Sequence, residues 1–197
     1  MDERLVSWAR AVKARKGLAH PVLWLFTDAR RQPDPLPAIG KLPPGLAGVV
    51  FRHDGVPGRA CLARRVAALC RKRRLALTIA GDTRLAAALK AGVHLRGAGG
   101  RPAGGCPLTA SAHTVPQLLR GLRRGALVFL SPAFPTASHA GAPSLGPLRW
   151  SALARGKRVL ALGGVDGQNI RRLAGACGAG AIAALGAGKL GGTSMER

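Results

Sequence analysis

Eight short strand-like runs, most of them apolar, separated by turns and helix-patterned stretches, constrain the folds open to this chain more than any other feature. They are Val22–Thr27, Gly48–Arg52, Leu75–Ala80, Val93–Leu95, Leu108–Ala112, Ala126–Leu130, Val159–Leu162 and Ala181–Leu185. A short apolar run without polar alternation is the pattern of a strand covered on both faces, as in a parallel sheet. The stretches between them carry helical spacing and helix punctuation. Arg59–Arg73 reads as a helix with Cys61, Leu62, Val66, Leu69 and Cys70 along one face. Asp82 caps a helix running to Lys90, with Gly92 as its stop, and Thr114 caps Val115–Arg124. Pro147–Ala154 and Asp166–Ala176 are the last two predicted helices. Near the start, Leu5, Trp8 and Val12 share one helical face.

Two connections are poor in helix. Prolines leave room for only a short helix between Arg30 and Pro44, and Arg96–Pro107 (RGAGGRPAGGCP) reads as a loop replacing a helix. Eight β/α steps in 197 residues predict a single-domain (β/α)8 TIM barrel with shortened connections. Within that domain 1–20 holds an N-terminal helix and 186–197 a Gly-rich tail. An open doubly wound sheet is the competing architecture, but no GxGxxG follows the first strand.

A hydrophobic content of 47% excludes a disordered chain, and no apolar run is long enough for a membrane span. Asp2 and Glu3 beside Met1, with no apolar core behind them, argue against a signal peptide and for a cytoplasmic protein. Cys61, Cys70, Cys106 and Cys177 form no CxxC pair, so buried reduced thiols are expected rather than a metal cluster. The net charge of +23 attracts polyanions without choosing among them. Much of it is Arg on predicted helices, as in Arg71–Arg74 and Arg171-Arg172, which is the composition of a solvated exterior. Nucleic acid is therefore expected only as a non-specific partner. Self-association into a homo-oligomer is compatible with the sequence.

In a barrel of this kind the loops after the strands build the functional face. Four of the eight acids, Asp28, Asp54, Asp82 and Asp166, follow predicted strands there. Acids gathered at one rim suggest a cation or a cationic substrate group. Helix capping accounts equally well for Asp82 and better for Asp166. Leu162-Gly163-Gly164-Val165 ends the seventh strand and Ala184-Leu185-Gly186-Ala187 the eighth. Glycines there let phosphate oxygens approach backbone N–H groups. His113 ends the fifth strand beside Ser111, as a general acid/base or as a rim residue that shapes the pocket. The stretch Ala126–Gly146 leads from a buried strand into a hydroxyl-rich loop with Thr136, Ser138 and His139, stiffened by Pro135 and Pro143. His94 lies inside a short strand and reads as structural, and His20 as a loop residue.

The ordered set Val50-Phe51-Arg52, Gly81-Asp82, Ala91–Leu95, Ser111–Thr114, Phe134–Ser138 and Ala161–Val165 resembles the thiamine phosphate synthase and thiazole tautomerase family of small TIM barrels. The resemblance runs from about Val22 to Ala187. It implies a transferase that joins an aminopyrimidine diphosphate to a thiazole phosphate and releases pyrophosphate with Mg²⁺. By resemblance Arg52, Gly81 and Ser111 contact the pyrimidine diphosphate and Asp82 holds the metal. Thr136, Ala137, Ser138 and His139, with Gly163, Ala184 and Leu185, surround the thiazole phosphate. Ser111, His113 and His139 are the implied catalytic residues.

The chain departs from the family pattern at four places. The family's Lys after the Arg motif is Asp54, the Asn before the metal-binding Asp is Gly81, and the Lys of the phosphate loop is His139. The second metal-binding Asp, expected just after Leu95, is missing, and Arg96 stands where side chain can replace cation. Losing one Mg²⁺ ligand and both lysines weakens diphosphate binding, so Mg²⁺ is expected to bind weakly or only with substrate. Two alternatives accompany the synthase. One is an isomerase of the tautomerase type that uses His113, and the other is a member that only binds phosphate ligands or polyanions.

Overall fold

The computed structural model describes residues 1–96, 104–136, 141 and 143–186. Eight parallel strands close on themselves in sequence order: β1 Leu23–Phe26, β2 Ala47–Phe51, β3 Ala76–Ala80, β4 Gly92–Leu95, β5 Leu108–Ala112, β6 Leu127–Leu130, β7 Val159–Leu162 and β8 Ala179–Ala181. Leu23 pairs with Ala47 on one side and Ala179 on the other, which joins β8 to β1 and leaves no sheet edge. The helices are α1 Glu3–Lys16, α2 Leu36–Gly40, α3 Arg59–Lys72, α4 Thr83–Ala88, α5 Val115–Arg123 and α6 Gly146–Ala154. The chain is thus a (β/α)8 TIM barrel, as the spacing of apolar runs predicts.

The barrel interior is filled by Trp24, Phe26, Val50, Phe129 and Leu160. Such large rings fit because neighbouring strands offer no side chain. A Cβ on Gly48 would lie 2.7 Å from the Trp24 ring, and one on Gly180 2.6 Å from the Phe26 ring. Phe26 and Phe129 meet edge to face with centroids 4.8 Å apart, the arrangement favoured by aromatic quadrupoles. Outside the barrel, outward-facing strand residues such as Val49, Phe51 and Ile79 pack against the helices. Burying each large side chain stabilises the fold by about 1.5–3 kcal/mol. Asp2 caps α1 through Leu5 N, and its second oxygen accepts from Gly167 N at 2.7 Å, tying the first helix to the loop after β7.

The structure corrects several details of the sequence reading. Gly92 does not stop α4 but begins β4, where a Cβ would collide with Pro107 and Thr78. The stop is Lys90, in the left-handed region (φ 50°), with Ala91 N bonded to Ala86 O and Lys90 N to Ala87 O. Asp166–Ala176 forms only a 3₁₀ turn at Ile170–Arg172. Asp166 Oδ1 accepts from both Gln168 N and Asn169 N, a local turn that competes with helix. The eighth strand is Ala179–Ala181 rather than Ala181–Leu185, because small residues are what the Phe26 ring tolerates beside it. The buried face of α3 is Ala63, Val66, Ala67 and Cys70, so Cys61 is exposed instead of buried. No helix among the described residues is long and apolar enough to cross a membrane.

Candidate functional site

Strands β1 to β4 deliver Asp28, Arg52, Asp54, Asp82 and Arg96 to the barrel mouth, and α3 adds Arg59 from its first turn. Arg59 donates to Asp82 Oδ2 at 3.0 Å, to Asp54 Oδ1 at 3.4 Å and to the Ala80 carbonyl at 2.9 Å. Arg96 holds the other Asp54 oxygen at 2.5 Å. Asp82 Oδ1 accepts from Leu85 N at 2.9 Å as the cap of α4. Asp28 Oδ1 accepts from Arg30 N and Arg31 N, while Oδ2 lies 3.8 Å from Arg52. All six oxygens of Asp28, Asp54 and Asp82 therefore face nitrogen donors.

That arrangement does not fit magnesium. The ion needs anionic oxygens free to replace part of its water shell, and here guanidinium and amide N–H groups already occupy them. Among the described residues no three His, Cys, Asp or Glu side chains converge as a ligand set. Asp82, the implied metal ligand, is a helix cap and the acid of an ion pair.

Arg52 is built in with care. Its amide donates to Thr27 Oγ1 at 2.9 Å, its Nε to the Thr27 carbonyl at 3.1 Å, and its guanidinium lies 5.3 Å over the Phe26 ring. Burial pulls its pKa below the ordinary value, partly offset by Asp28. Thr27 in turn is fixed by His53. The His53 Nε2 faces the Gln32 carbonyl at 3.0 Å, to which it can only donate, and its Nδ1 lies 3.0 Å from Thr27 Oγ1. His53 is fully buried and stacks on Phe51, 5.1 Å between centroids.

A cleft of about 400 Å³ runs from the ends of β4 and β5 down between β5 and α5, lined by Arg52, His94, Arg96, Ser111 and His113 at the mouth and by Arg120 and Arg124 along α5, among others. Among the described residues its charged side chains are all basic. His94 is buried, bonded through Nδ1 to Thr109 Oγ1 at 2.9 Å and through Nε2 to Ser111 Oγ at 3.2 Å. Burial, with Arg52 and Arg96 nearby, lowers its pKa to about 3, so it is neutral at physiological pH. His113 is exposed at the cleft wall, its amide donating to Gln117 Oε1 at 2.7 Å at the start of α5.

Across the mouth, the loop after β6 zips onto the end of β7. Ala133 N bonds to Leu162 O at 2.8 Å and Phe134 N to Gly163 O at 3.0 Å. Gly163 (φ 89°) and Gly164 (φ 63°) are left-handed, and a Cβ on either would meet the Pro132–Pro135 segment within 3 Å. Neither glycine amide donates to an acceptor among the described residues. They form the corner at which a phosphate can approach backbone N–H groups.

Of the residues singled out in the sequence, Arg52, Ser111 and His113 share the basic cleft, Gly81 and Asp82 adjoin it, and Gly163 lies opposite. Gly81 is left-handed, with the Arg96 stem packed over it. Thr136 is half-buried beyond β6. Ala137, Ser138 and His139 lie outside the described residues. Ala184 gives its carbonyl to Asp2 N at 2.9 Å, and the Leu185 side chain is buried in the outer core. Sequence reasoning missed Arg59, whose only signal is its place at the start of a helix. It also missed the bond between His94 and Ser111, which are 17 residues apart.

A family profile described as thiamine monophosphate synthase matches residues 42–187. No curated protein matches the chain. Among solved structures, a thiamine phosphate pyrophosphorylase from Pyrococcus furiosus superimposes with a TM-score of 0.69 at 23% identity, over 84% of this chain and 87% of that one. A thiamine phosphate pyrophosphorylase from Bacteroides thetaiotaomicron gives 0.50 at 17%, over 82% of each chain. At these identities the two structures speak for the fold. The profile match spans most of the chain, from the approach to β2 to beyond β8, and on that extent the chain belongs to the thiamine monophosphate synthase family.

Proposed function

We propose that the chain joins an aminopyrimidine diphosphate to a thiazole phosphate, with arginines rather than a metal facing the departing pyrophosphate. The observation that supports this reading is a basic cleft holding Arg52 and Arg96 with a left-handed Gly163-Gly164 corner across the mouth, two places suited to anions. Joining two phosphorylated molecules calls for two such places, set apart and facing one space. As the bond to pyrophosphate breaks, negative charge grows on its oxygens. Fixed guanidinium groups in a partly dehydrated cleft stabilise that charge with little reorganisation. The glycine amides hold the other phosphate, so the reacting ends meet over the barrel axis. No step in this reading runs through magnesium. The partners are accordingly small phosphorylated molecules.

The test is pyrophosphate release on mixing the two substrates, with a chelator in excess and again with Mg²⁺. Release that persists in chelator and falls by on the order of a hundredfold in Arg52→Gln is expected. No release under either condition would overturn the synthase reading.

One observation favours a second reading, an isomerase of the tautomerase type. The exposed His113 ring lines the same cleft as Ser111, and proton exchange needs no metal. Solvent deuterium entering a thiazole carboxylate phosphate alone, and lost in His113→Ala, would select it.

A further inference from the structure

Four side chains and one carbonyl form a continuous hydrogen-bonded line from the cleft into the barrel wall. Ser111 Oγ meets His94 Nε2 at 3.2 Å, and His94 Nδ1 meets Thr109 Oγ1 at 2.9 Å. Thr109 Oγ1 lies 3.4 Å from Thr78 Oγ1, which lies 3.4 Å from the Val49 carbonyl. Only the far end has a role fixed by its chemistry, since a carbonyl can only accept. Each hydroxyl has one proton to give, and a neutral imidazole has one N–H.

The directions then follow in order. Thr78 donates to Val49 O, so it accepts from Thr109. Thr109 has spent its proton and accepts from His94 Nδ1–H. The Nε2 of a neutral His94 therefore carries a lone pair, and the Ser111 proton points at it. Neutrality is secured by burial and by the two arginines, which hold the His94 pKa near 3. Ser111 is the half-buried member of the line that lines the cleft, and it is left with lone pairs facing the ligand.

We propose that His94 is a positioning residue that makes Ser111 a hydrogen-bond acceptor, so that the ligand group against Ser111 is an N–H donor such as an amino group. Phosphate oxygens are acceptors and belong with Arg52 and Arg96 instead. This inference rests on the reading that an aminopyrimidine diphosphate enters the cleft, and it changes the contact that family resemblance gives Ser111. An oxygen ligand would turn the Ser111 proton away and leave the buried Nε2 lone pair unpaired. That penalty corresponds to roughly tenfold or more in affinity.

Two measurements test it. The first uses long-range ¹⁵N–¹H correlation spectra of the histidine-labelled free protein, with His94→Gln to assign the signal. The Nδ1–H tautomer of His94 is expected throughout pH 5–8. An Nε2–H tautomer, or an imidazolium at pH 6, would overturn the proposal. Thr109→Val removes the acceptor for Nδ1–H at nearly constant volume, and the tautomer is expected to switch to Nε2–H. An unchanged tautomer in that variant would also overturn it.

The second measurement compares Ser111→Ala with the wild type in binding an aminopyrimidine diphosphate and inorganic pyrophosphate. The first affinity should fall roughly tenfold and the second should hold within about twofold. Equal losses for both would mean that Ser111 serves the phosphate, and the inference fails. If neither probe binds the wild type, the substrate reading under the proposed function fails, and the tautomer spectra alone decide the role of His94.

Discussion

Arg59 Nη1 lies 3.0 Å from Asp82 Oδ2, so the acid that resemblance marks as a metal ligand is neutralised by an arginine of the same chain. The same guanidinium reaches Asp54, and Arg96 closes the other side of Asp54. Guanidinium groups, with the capping amide of Leu85, thus take up the positions around these two acids where a cation would lie. The Arg59 side chain is 17% exposed, about half as open as either acid it touches. It is the best sheltered member of the cluster.

Removing that arginine should therefore create what the wild type lacks. Arg59→Ala leaves Asp54 and Asp82 close together without their shared counter-ion, and like charges at one site attract a divalent cation. Calorimetry should find no Mg²⁺ binding to the unliganded wild type at millimolar concentration, and measurable binding to Arg59→Ala. Tight Mg²⁺ binding by the wild type would show that the carboxylate oxygens are not committed as described.

Gly163→Ala should act on the opposite side of the mouth. Its Cβ would come within 2.9 Å of Pro132 Cα at a φ of 89°, so the loop after β6 must move away from β7. Backbone strain of this kind costs on the order of 1–3 kcal/mol. Thiazole phosphate affinity should drop at least tenfold, while pyrophosphate binding at the arginine cleft stays within about twofold of the wild type. Unchanged thiazole phosphate affinity would place that phosphate elsewhere.

The barrel was legible because strand-like runs and helix-patterned stretches alternate eight times; Val159–Leu162, an uninterrupted apolar run, and Leu108–Ala112, which carries Thr109 and Ser111, are both read to the residue. Boundaries slipped where small residues serve close packing. Gly92 looked like a helix stop but is a strand residue pressed on Pro107, and the eighth strand, read as Ala181–Leu185, begins earlier at Ala179, where Gly180 makes room for Phe26. Periodicity records which residues are apolar and does not record whose ring will need the space. The site was half legible for a related reason. Arg52, Ser111 and His113 stand directly after or within strands, where barrel topology assigns them to the mouth. Arg59 comes from a helix, and its reach to Asp82 depends on a long side chain crossing 23 positions of sequence. The His94–Ser111 bond depends on strand register, Ala80 against His94 and His94 against Thr109, which no local pattern encodes.

The charge of +23 should show itself as weak duplex DNA binding without sequence preference. Contacts made by surface Lys and Arg release counter-ions, so log K should fall linearly with log salt. Fluorescence anisotropy with two unrelated duplexes across a salt series should give one common line, with binding lost near physiological ionic strength. A complex with one duplex that survives that salt would indicate a dedicated nucleic-acid site.

The last prediction follows from the neutral His94. Its pKa is lowered from 6.5 to about 3 in the folded chain, so on acidification the unfolded chain takes up this proton first. The sign is then fixed: the contribution is fully present above pH 6.5 and is lost as pH falls toward 3. Below pH 6.5 the slope approaches about 1.4 kcal/mol of stability per pH unit from this one group. Carboxylates as a class titrate at lower pH, so the window to measure is pH 4.5 to 6.5. His94→Gln keeps an acceptor for Ser111 and a donor for Thr109 but has no group that titrates there. Urea unfolding of both proteins at several pH values should show a steeper loss in the wild type, with the two curves converging as pH falls. The remaining histidines are common to both proteins and cancel in the difference. Parallel curves across the window would mean that His94 protonates in the folded state as readily as in the unfolded one, and the directed hydrogen-bond line through Ser111 would fall with it.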